Sequence, residues 1–107
     1  MERTQVIDNI RQVAARVLPK GSALYLYGSR ARGDWNDESD WDLLLLLNEK
    51  GDSDDDFRRY VYPIIVRGYD LWQYFSVQTY SKDEWNNGAH PPYYYNVEQD
   101  KQLIYES

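Results

Sequence analysis

A run of five leucines at positions 43–47, entered through Asp40-Trp41-Asp42, constrains the fold of this chain more than any other feature. An apolar run of this kind is typical of a fully buried strand. Because side chains i and i+2 of a strand share a face, Asp40 and Asp42 should project side by side where the strand begins. Two carboxylates held this close repel each other, and a divalent cation with oxygen ligands relieves the repulsion. The pattern therefore predicts a metal site at the start of the strand.

A turn of small residues, Gly28-Ser29, lies upstream of the two aspartates. It follows the apolar segment 23–27, which is also predicted to be a strand. A small-residue turn between a strand and a helix is a place where backbone N–H groups can hold phosphate. A metal site and a phosphate site on adjacent strands suggest nucleotide chemistry.

The rest of the chain is predicted to alternate helices and strands. Apolar spacing predicts a helix over 4–18 with Thr4 as its N-cap, and a second over 54–72 that Pro63 kinks or breaks. The residues Ser81-Lys82-Asp83-Glu84 fit a capping box that starts a short helix. The remaining predicted segments are a short helix over 28–32, strands over 41–47, 74–80 and 103–105 (the last at a sheet edge), and a helical turn over 93–100. The link between the first two strands, about ten residues, leaves them parallel or antiparallel.

Composition limits the classes of protein to which the chain can belong. Its 107 residues show no repeat and no boundary, so we expect one domain over 1–107. No stretch has the length of a secretory signal or of a membrane span. The absence of cysteine excludes disulfides and thiolate metal sites and fits a cytoplasmic protein. The net charge of −6 makes long nucleic acid an unexpected substrate. The 11 Tyr and 4 Trp suggest a partner surface as readily as a core.

The motifs of the central region resemble those of a known family. Gly28-Ser29, the Arg-Ala-Arg-Gly of 30–33 and Asp40-x-Asp42 before an apolar strand are similar to the minimal nucleotidyltransferases (MNT) of the DNA polymerase β-like superfamily. The similarity extends to YPIIVRGYDLW, SKDEW and YYYNVEQ, so it covers nearly the whole chain. It implies an α/β (α+β) nucleotidyltransferase fold, with a small mixed β-sheet flanked by helices.

The resemblance also implies roles for the motif residues. Gly28 and Ser29 would hold the β- and γ-phosphates of a nucleoside triphosphate, ATP in the first place. Asp40 and Asp42 would bind two Mg²⁺ ions, which orient the attacking hydroxyl and stabilise developing charge.

Arg30 and Arg32 would flank this phosphate site, where arginine suits bidentate contacts. Positions i and i+2 of a helix do not share a face, so only one of the two is expected to face the nucleotide. Arg32 has an alternative partner in Asp34 or Asp37.

The chain departs from the family pattern at one point. Active members usually carry a third metal-binding carboxylate on a following strand, and the predicted strand 74–80 contains no Asp or Glu. The nearest candidate is Asp70, which helical periodicity places before that strand. The departure puts turnover in question more than nucleotide or metal binding.

Two functions from different classes are therefore expected. The first is Mg²⁺-dependent transfer of AMP from ATP to a hydroxyl on a partner protein, as in HEPN/MNT toxin–antitoxin pairs. The alternative is a catalytically degenerate, antitoxin-like subunit that masks its partner, and a basic partner would complement the net charge. The sequence leaves homo-oligomerisation open.

Overall fold

The structure, a computed structural model, describes residues 1–107 and contains one four-stranded sheet. The strand order is β3-β2-β1-β4; β1 is antiparallel to β2 and to β4, whereas β2 and β3 are parallel. The mixed sheet flanked by helices is thus confirmed, with the last strand at an edge. The strands are β1 (Ala23–Tyr27), β2 (Trp41–Leu47), β3 (Phe75–Ser81) and β4 (Gln102–Glu106).

The first helix, α1 (Arg3–Val17), begins slightly earlier than its sequence pattern predicts. Thr4 lies inside the helix, so its prediction as N-cap is wrong; Glu2 occupies that position. The reason is local, because the side chain of Gln5 accepts a hydrogen bond from the Glu2 N–H at 3.1 Å and caps the helix two residues earlier than predicted. No helix of the chain combines the length and apolar character needed to cross a membrane.

The connection between β1 and β2 contains only the short helix α2 (Ser29–Arg32). Residues 28–40 connect the two strands, and β2 runs antiparallel to β1. The parallel crossover lies instead between β2 and β3. It consists of α3 (Ser53–Asp56), a π-helical turn (Phe57–Val61) and α4 (Tyr62–Asp70).

The predicted irregularity near Pro63 is confirmed. Pro63 lies in the first turn of α4, directly after the π-helical turn. Proline lacks an N–H and its ring crowds the carbonyl four residues earlier, so it is tolerated where a helix begins anew. The predicted single helix is therefore three consecutive helical segments.

The five leucines of β2 are buried because helices cover both faces of the sheet. Leu43, Leu45 and Leu47 face α1 and α4 in the larger core. Leu44 and Leu46 face the opposite side, where they pack with Trp85 and Val97, both almost fully buried. That side is covered by α5 (Lys82–Asn87) and α6 (Tyr94–Asp100).

The predicted capping box that opens α5 is confirmed. The Ser81 hydroxyl accepts a hydrogen bond from the Glu84 N–H at 3.0 Å, and the Glu84 carboxylate accepts one from the Ser81 N–H at 2.9 Å. The ring N–H of Trp85 then donates to Glu98 of α6 at 2.8 Å. These bonds fix α5 and α6 over the Leu44 side of the sheet.

Candidate functional site

The two aspartates of the motif lie where β2 begins. The Cα of Asp42 pairs with that of Tyr27 in β1 and with that of Ser76 in β3. Strand partners point to the same face, so the half-buried Asp42 carboxylate shares a face with Leu44 and has the Tyr27 phenol beside it. Asp40 precedes the strand and is exposed.

The charge state of Asp42 reflects this position. Burial raises the pKa of Asp42, the charge of Asp40 raises it further, and the charge of Arg32 lowers it. Ionisation of Asp42 is therefore less favourable than that of an exposed aspartate, and a nearby positive charge favours it. Two acidic oxygen donors that oppose each other in this way suit a hard divalent cation such as Mg²⁺.

Gly28 provides the closest approach of the phosphate turn to Asp42. Its backbone has φ 75° and ψ −158°, a region that only glycine adopts readily. A Cβ atom added to Gly28 would lie 2.3 Å from Asp42 Oδ2, so the glycine is also needed to avoid a collision with the carboxylate. The predicted phosphate turn and the predicted metal ligand are therefore in direct contact.

Ser29 opens α2 immediately after this contact. The N–H groups of Ala31 and Arg32 donate to the Gly28 carbonyl, each at 3.0 Å. The first N–H groups of a helix, here those of Ser29 and Arg30, have no intrahelical acceptor and carry the positive end of the peptide dipoles. This arrangement can accept an anionic group beside Asp42.

Arg32 is held by carboxylates on two different segments. Its guanidinium forms ion pairs with Asp34 at 3.3 Å and with Asp100 of α6 at 2.8 Å. The pairing with Asp34 agrees with the alternative from the sequence, and no ion pair joins Arg32 to Asp37. Hydrogen bonds with Asp100 and Asp34 raise the pKa of Arg32.

Arg30 occupies a different environment, although it is only two residues away. It is buried, and its guanidinium lies 4.5 Å from the Trp35 ring and 4.6 Å from the Trp41 ring. It also donates two hydrogen bonds to the Ser39 carbonyl, at 3.0 and 3.3 Å. Arg30 therefore ties α2 to the loop that delivers Asp40.

The third carboxylate expected from the family pattern is not supplied by the chain. Asp70 is the last residue of α4 and is exposed. No group of three or more Asp, Glu, His or Cys side chains lies close enough together to hold a metal ion, so Asp70 does not join Asp40 and Asp42. The β3 residue next to Asp42 is Ser76.

Tyr27 lies beside Asp42, and the motif did not reveal it; Tyr80 and Tyr93 lie on the same side of the sheet. Burial, then the charges of Asp42 and Tyr80, raises the pKa of Tyr27 to about 12. The hydroxyl of Tyr80 is hydrogen-bonded to that of Tyr93. Alternation along β1 would have placed Tyr27 on this face once the antiparallel pairing with β2 was known.

Two anchors of α2 were also missed, because they come from the distant end of the chain. Besides the pairing of Arg32 with Asp100, the Gln102 side chain donates to the Ala31 carbonyl at 3.0 Å. No local signal in 98–102 identifies either contact. They show that β4 and α6 position the phosphate turn.

Comparison with protein families gives one family for this fold and site. The family model described as polymerase beta, nucleotidyltransferase, matches residues 8–107. A search of curated protein sequences gave no significant match.

Solved structures with the same fold include a putative nucleotidyltransferase and several toxin–antitoxin proteins. A toxin–antitoxin with AMP-PNP has TM-score 0.64 and 15% identity, over 94% of this chain and 73% of that one. A complex of tri-AMPylated Shewanella oneidensis HEPN toxin with MNT antitoxin gives 0.65 and 13%, over 99% and 74%. A putative nucleotidyltransferase from Sulfolobus solfataricus gives 0.63 and 19%, over 96% and 82%. At these identities the likeness establishes the fold.

Proposed function

This chain belongs to the polymerase β nucleotidyltransferase family and has the fold of its MNT-type members, and we propose that it transfers AMP from ATP to a hydroxyl group of a partner protein. The contact between Gly28 and Asp42 carries the proposal. It joins a turn suited to phosphate with a carboxyl group whose pKa is raised by burial and by the charge of Asp40. A plain strand-to-helix turn requires no such contact.

Each residue of the motif has a role in this proposal. The backbone N–H groups and the hydroxyl of Ser29, with Gly28, hold the β- and γ-phosphates. Asp40 and Asp42 would hold Mg²⁺, with two ions by analogy with the family. When bound, Mg²⁺ would neutralise negative charge on the phosphate oxygens. Arg32 supplies a positive charge at the edge of this site. Arg30 contributes to nucleotide binding by fixing the loop before Asp40.

The reaction forms one bond and breaks one. The hydroxyl oxygen of the acceptor attacks the α-phosphorus of ATP, the bond to the β-phosphate oxygen breaks, and pyrophosphate leaves. The hydroxyl proton passes to solvent or to an Asp40 or Asp42 oxygen. A HEPN-type protein is the proposed acceptor, because a chain of the same fold is found in complex with an AMPylated HEPN toxin.

The test uses ATP labelled at the α-phosphate, Mg²⁺ and a HEPN-type protein from the genome that carries this gene. We expect label on the acceptor with wild type and a loss of about a hundredfold or more with Asp42→Asn or Asp40→Asn. Asp8→Asn, which removes an exposed carboxylate of α1, is the matched control and should transfer normally. Equal transfer by all four proteins would contradict the proposal.

The alternative, a binding subunit without turnover, is favoured by the environment of Ser76. A serine stands beside Asp42 where a carboxylate could complete the metal site, and Asp40 and Asp42 gain no third partner. If the chain is such a binding subunit, the double variant Asp40→Ala/Asp42→Ala should still bind the partner, and wild type should transfer no AMP.

Installing the absent carboxylate separates the two functions. Ser76→Asp should create or raise AMP transfer if the two-aspartate site is what limits turnover. Thr79→Asp is the control, because it adds the same charge on the opposite face of β3, in a cavity beside Lys50. A gain with both variants would show a nonspecific charge effect instead.

A further inference from the structure

The turn between α4 and β3 presents three aromatic side chains to solvent. Tyr69, Trp72 and Tyr74 are 57%, 94% and 67% exposed, and the rings of Tyr69 and Tyr74 meet edge to face at 5.8 Å. We infer that this aromatic turn is the docking surface for a positively charged protein segment that carries the acceptor hydroxyl. The inference rests on the proposed function, which it extends by naming the surface and the chemistry of the partner.

Trp72 occupies a backbone position that normally belongs to glycine. The Gln73 N–H donates to the Gly68 carbonyl at 2.9 Å and the Trp72 N–H to the Tyr69 carbonyl at 3.1 Å, the two bonds of a Schellman helix end. Trp72 has φ 59° there, a strained value for a bulky side chain. Its ring is almost fully exposed, so the strain is not repaid by packing within this chain.

The aromatic turn is tied to the residue between the two site aspartates. The Trp41 N–H donates to the Tyr74 carbonyl at 2.8 Å, and the Trp41 ring N–H donates to the Gln73 side chain at 2.8 Å. Asp40 and Asp42 flank Trp41 in the sequence. A protein segment bound at the turn therefore lies next to the proposed phosphate and metal site.

Charge identifies the kind of segment that fits. The loop 33–40 and the turn 70–74 contain five carboxylates and no lysine or arginine. The five are exposed: Asp34, Asp37, Glu38, Asp40 and Asp70. Lysine and arginine side chains bind both carboxylates and the faces of tryptophan and tyrosine rings. A second copy of this chain brings the same acidic loop and a net charge of −6, so it is disfavoured as the occupant.

The residue types of the surface argue for a protein partner. Exposed tryptophan and tyrosine side chains are enriched among the residues that dominate protein interfaces.

The experiment removes the Trp72 ring without disturbing the turn. Trp72→Gly suits the positive φ, so its melting temperature should equal or exceed that of wild type. Tyr95→Ala is the matched control, because Tyr95 is 73% exposed on α6, at the opposite face of the sheet. The probes are two fluorescein-labelled peptides, each of about 15 residues with one tyrosine, one rich in lysine and arginine and the other rich in glutamate.

Binding is measured by anisotropy without ATP, at about 50 and 500 mM NaCl. We expect the basic peptide to bind wild type about tenfold or more tightly than the acidic one, and more weakly at high salt. Trp72→Gly should weaken its binding about fivefold or more, whereas Tyr95→Ala should change it by less than about twofold.

Three results would overturn the inference. The first is that wild type shows no preference for the basic peptide or binds neither peptide. The second is that Trp72→Gly binds the basic peptide as tightly as wild type does, and the third is that wild type self-associates and Trp72→Gly abolishes this association. The labelled-ATP assay keeps the proposed function separate. Normal AMP transfer to the partner by Trp72→Gly would contradict the docking surface and support the proposed transferase function. Loss of basic-peptide binding by Trp72→Gly, with no transfer by wild type, supports the surface and contradicts the transferase.

Discussion

Replacing Gly28 with alanine tests the contact on which the site depends. The backbone at Gly28 lies in a region that costs about 1–3 kcal/mol for a residue with a side chain. The new Cβ would also lie 2.3 Å from Asp42 Oδ2, so the carboxylate must move from its place. We therefore expect a loss of about 1–3 kcal/mol in the free energy of unfolding from the backbone. We also expect about a tenfold or larger loss of Mn²⁺ affinity from the displaced ligand.

Gly33→Ala is the matched control, since it places a side chain on a positive-φ backbone but displaces no carboxylate. Gly33 also has a positive φ, 96°, but a Cβ atom there meets nothing within 4 Å. It should lose about 1–2 kcal/mol of stability and keep its Mn²⁺ affinity. Urea unfolding gives the stabilities, and Mn²⁺ electron paramagnetic resonance titration gives the affinities. If Gly28→Ala binds Mn²⁺ as tightly as Gly33→Ala, the assignment of Asp42 as a metal ligand beside the turn is refuted.

Four further predictions concern the site and the core beside it. The pKa of Tyr27, about 12, is raised first by burial and then by the charge of Asp42, so it should fall in Asp42→Asn but stay above its ordinary value. The measurement is the phenolate absorbance that Tyr27→Phe removes, and an unchanged pKa would contradict the coupling. Because the folded state keeps this proton above pH 10, wild type should lose more stability than Tyr27→Phe as pH rises from about 10 to 12 in urea unfolding. Trp85→Ala should cost about 3–5 kcal/mol in the same assay, because the ring is fully buried. Arg30→Lys should weaken Mn²⁺ binding, since lysine cannot reproduce both guanidinium bonds to the Ser39 carbonyl. Arg16→Lys, at an exposed position of α1, is the control, and equal Mn²⁺ affinities of the two variants would contradict this role.

The fold was largely predictable because its main signals are local. The leucine run, the helical stripe of α1 and the capping box of Ser81 each specify an element from neighbouring residues alone. The orientation of β1 and β2 was not, because residues 28–40 are enough for either an antiparallel return or a short parallel crossover. The start of α1 at Glu2 was not predicted because Glu is not among the preferred N-cap residues, although its N–H donates to the Gln5 side chain.

Within the site, the sequence located the motif but not the residues that hold it in place. Arg30 lies between the rings of Trp35 and Trp41, and nothing in the sequence marks either ring as its partner. Arg30 is buried because the loop that carries Trp35 folds back over α2. Asp100 reaches Arg32 across 68 positions of the chain. Contacts of this kind follow from tertiary packing, which has no periodic signal in the sequence.

The topology explains why the open questions about this chain meet at one end of the sheet. Antiparallel pairing brings the end of β1, with Gly28, to the start of β2, with Asp42. Parallel pairing brings the start of β3 to the same place, so a third carboxylate from that strand would have to stand at or near Ser76. The aromatic turn directly precedes β3 and therefore lies at this end too. Ser76→Asp and Trp72→Gly, four residues apart in the sequence, lie at the end of the sheet where Gly28 meets Asp42. The first variant tests turnover and the second tests docking, each independently of the other.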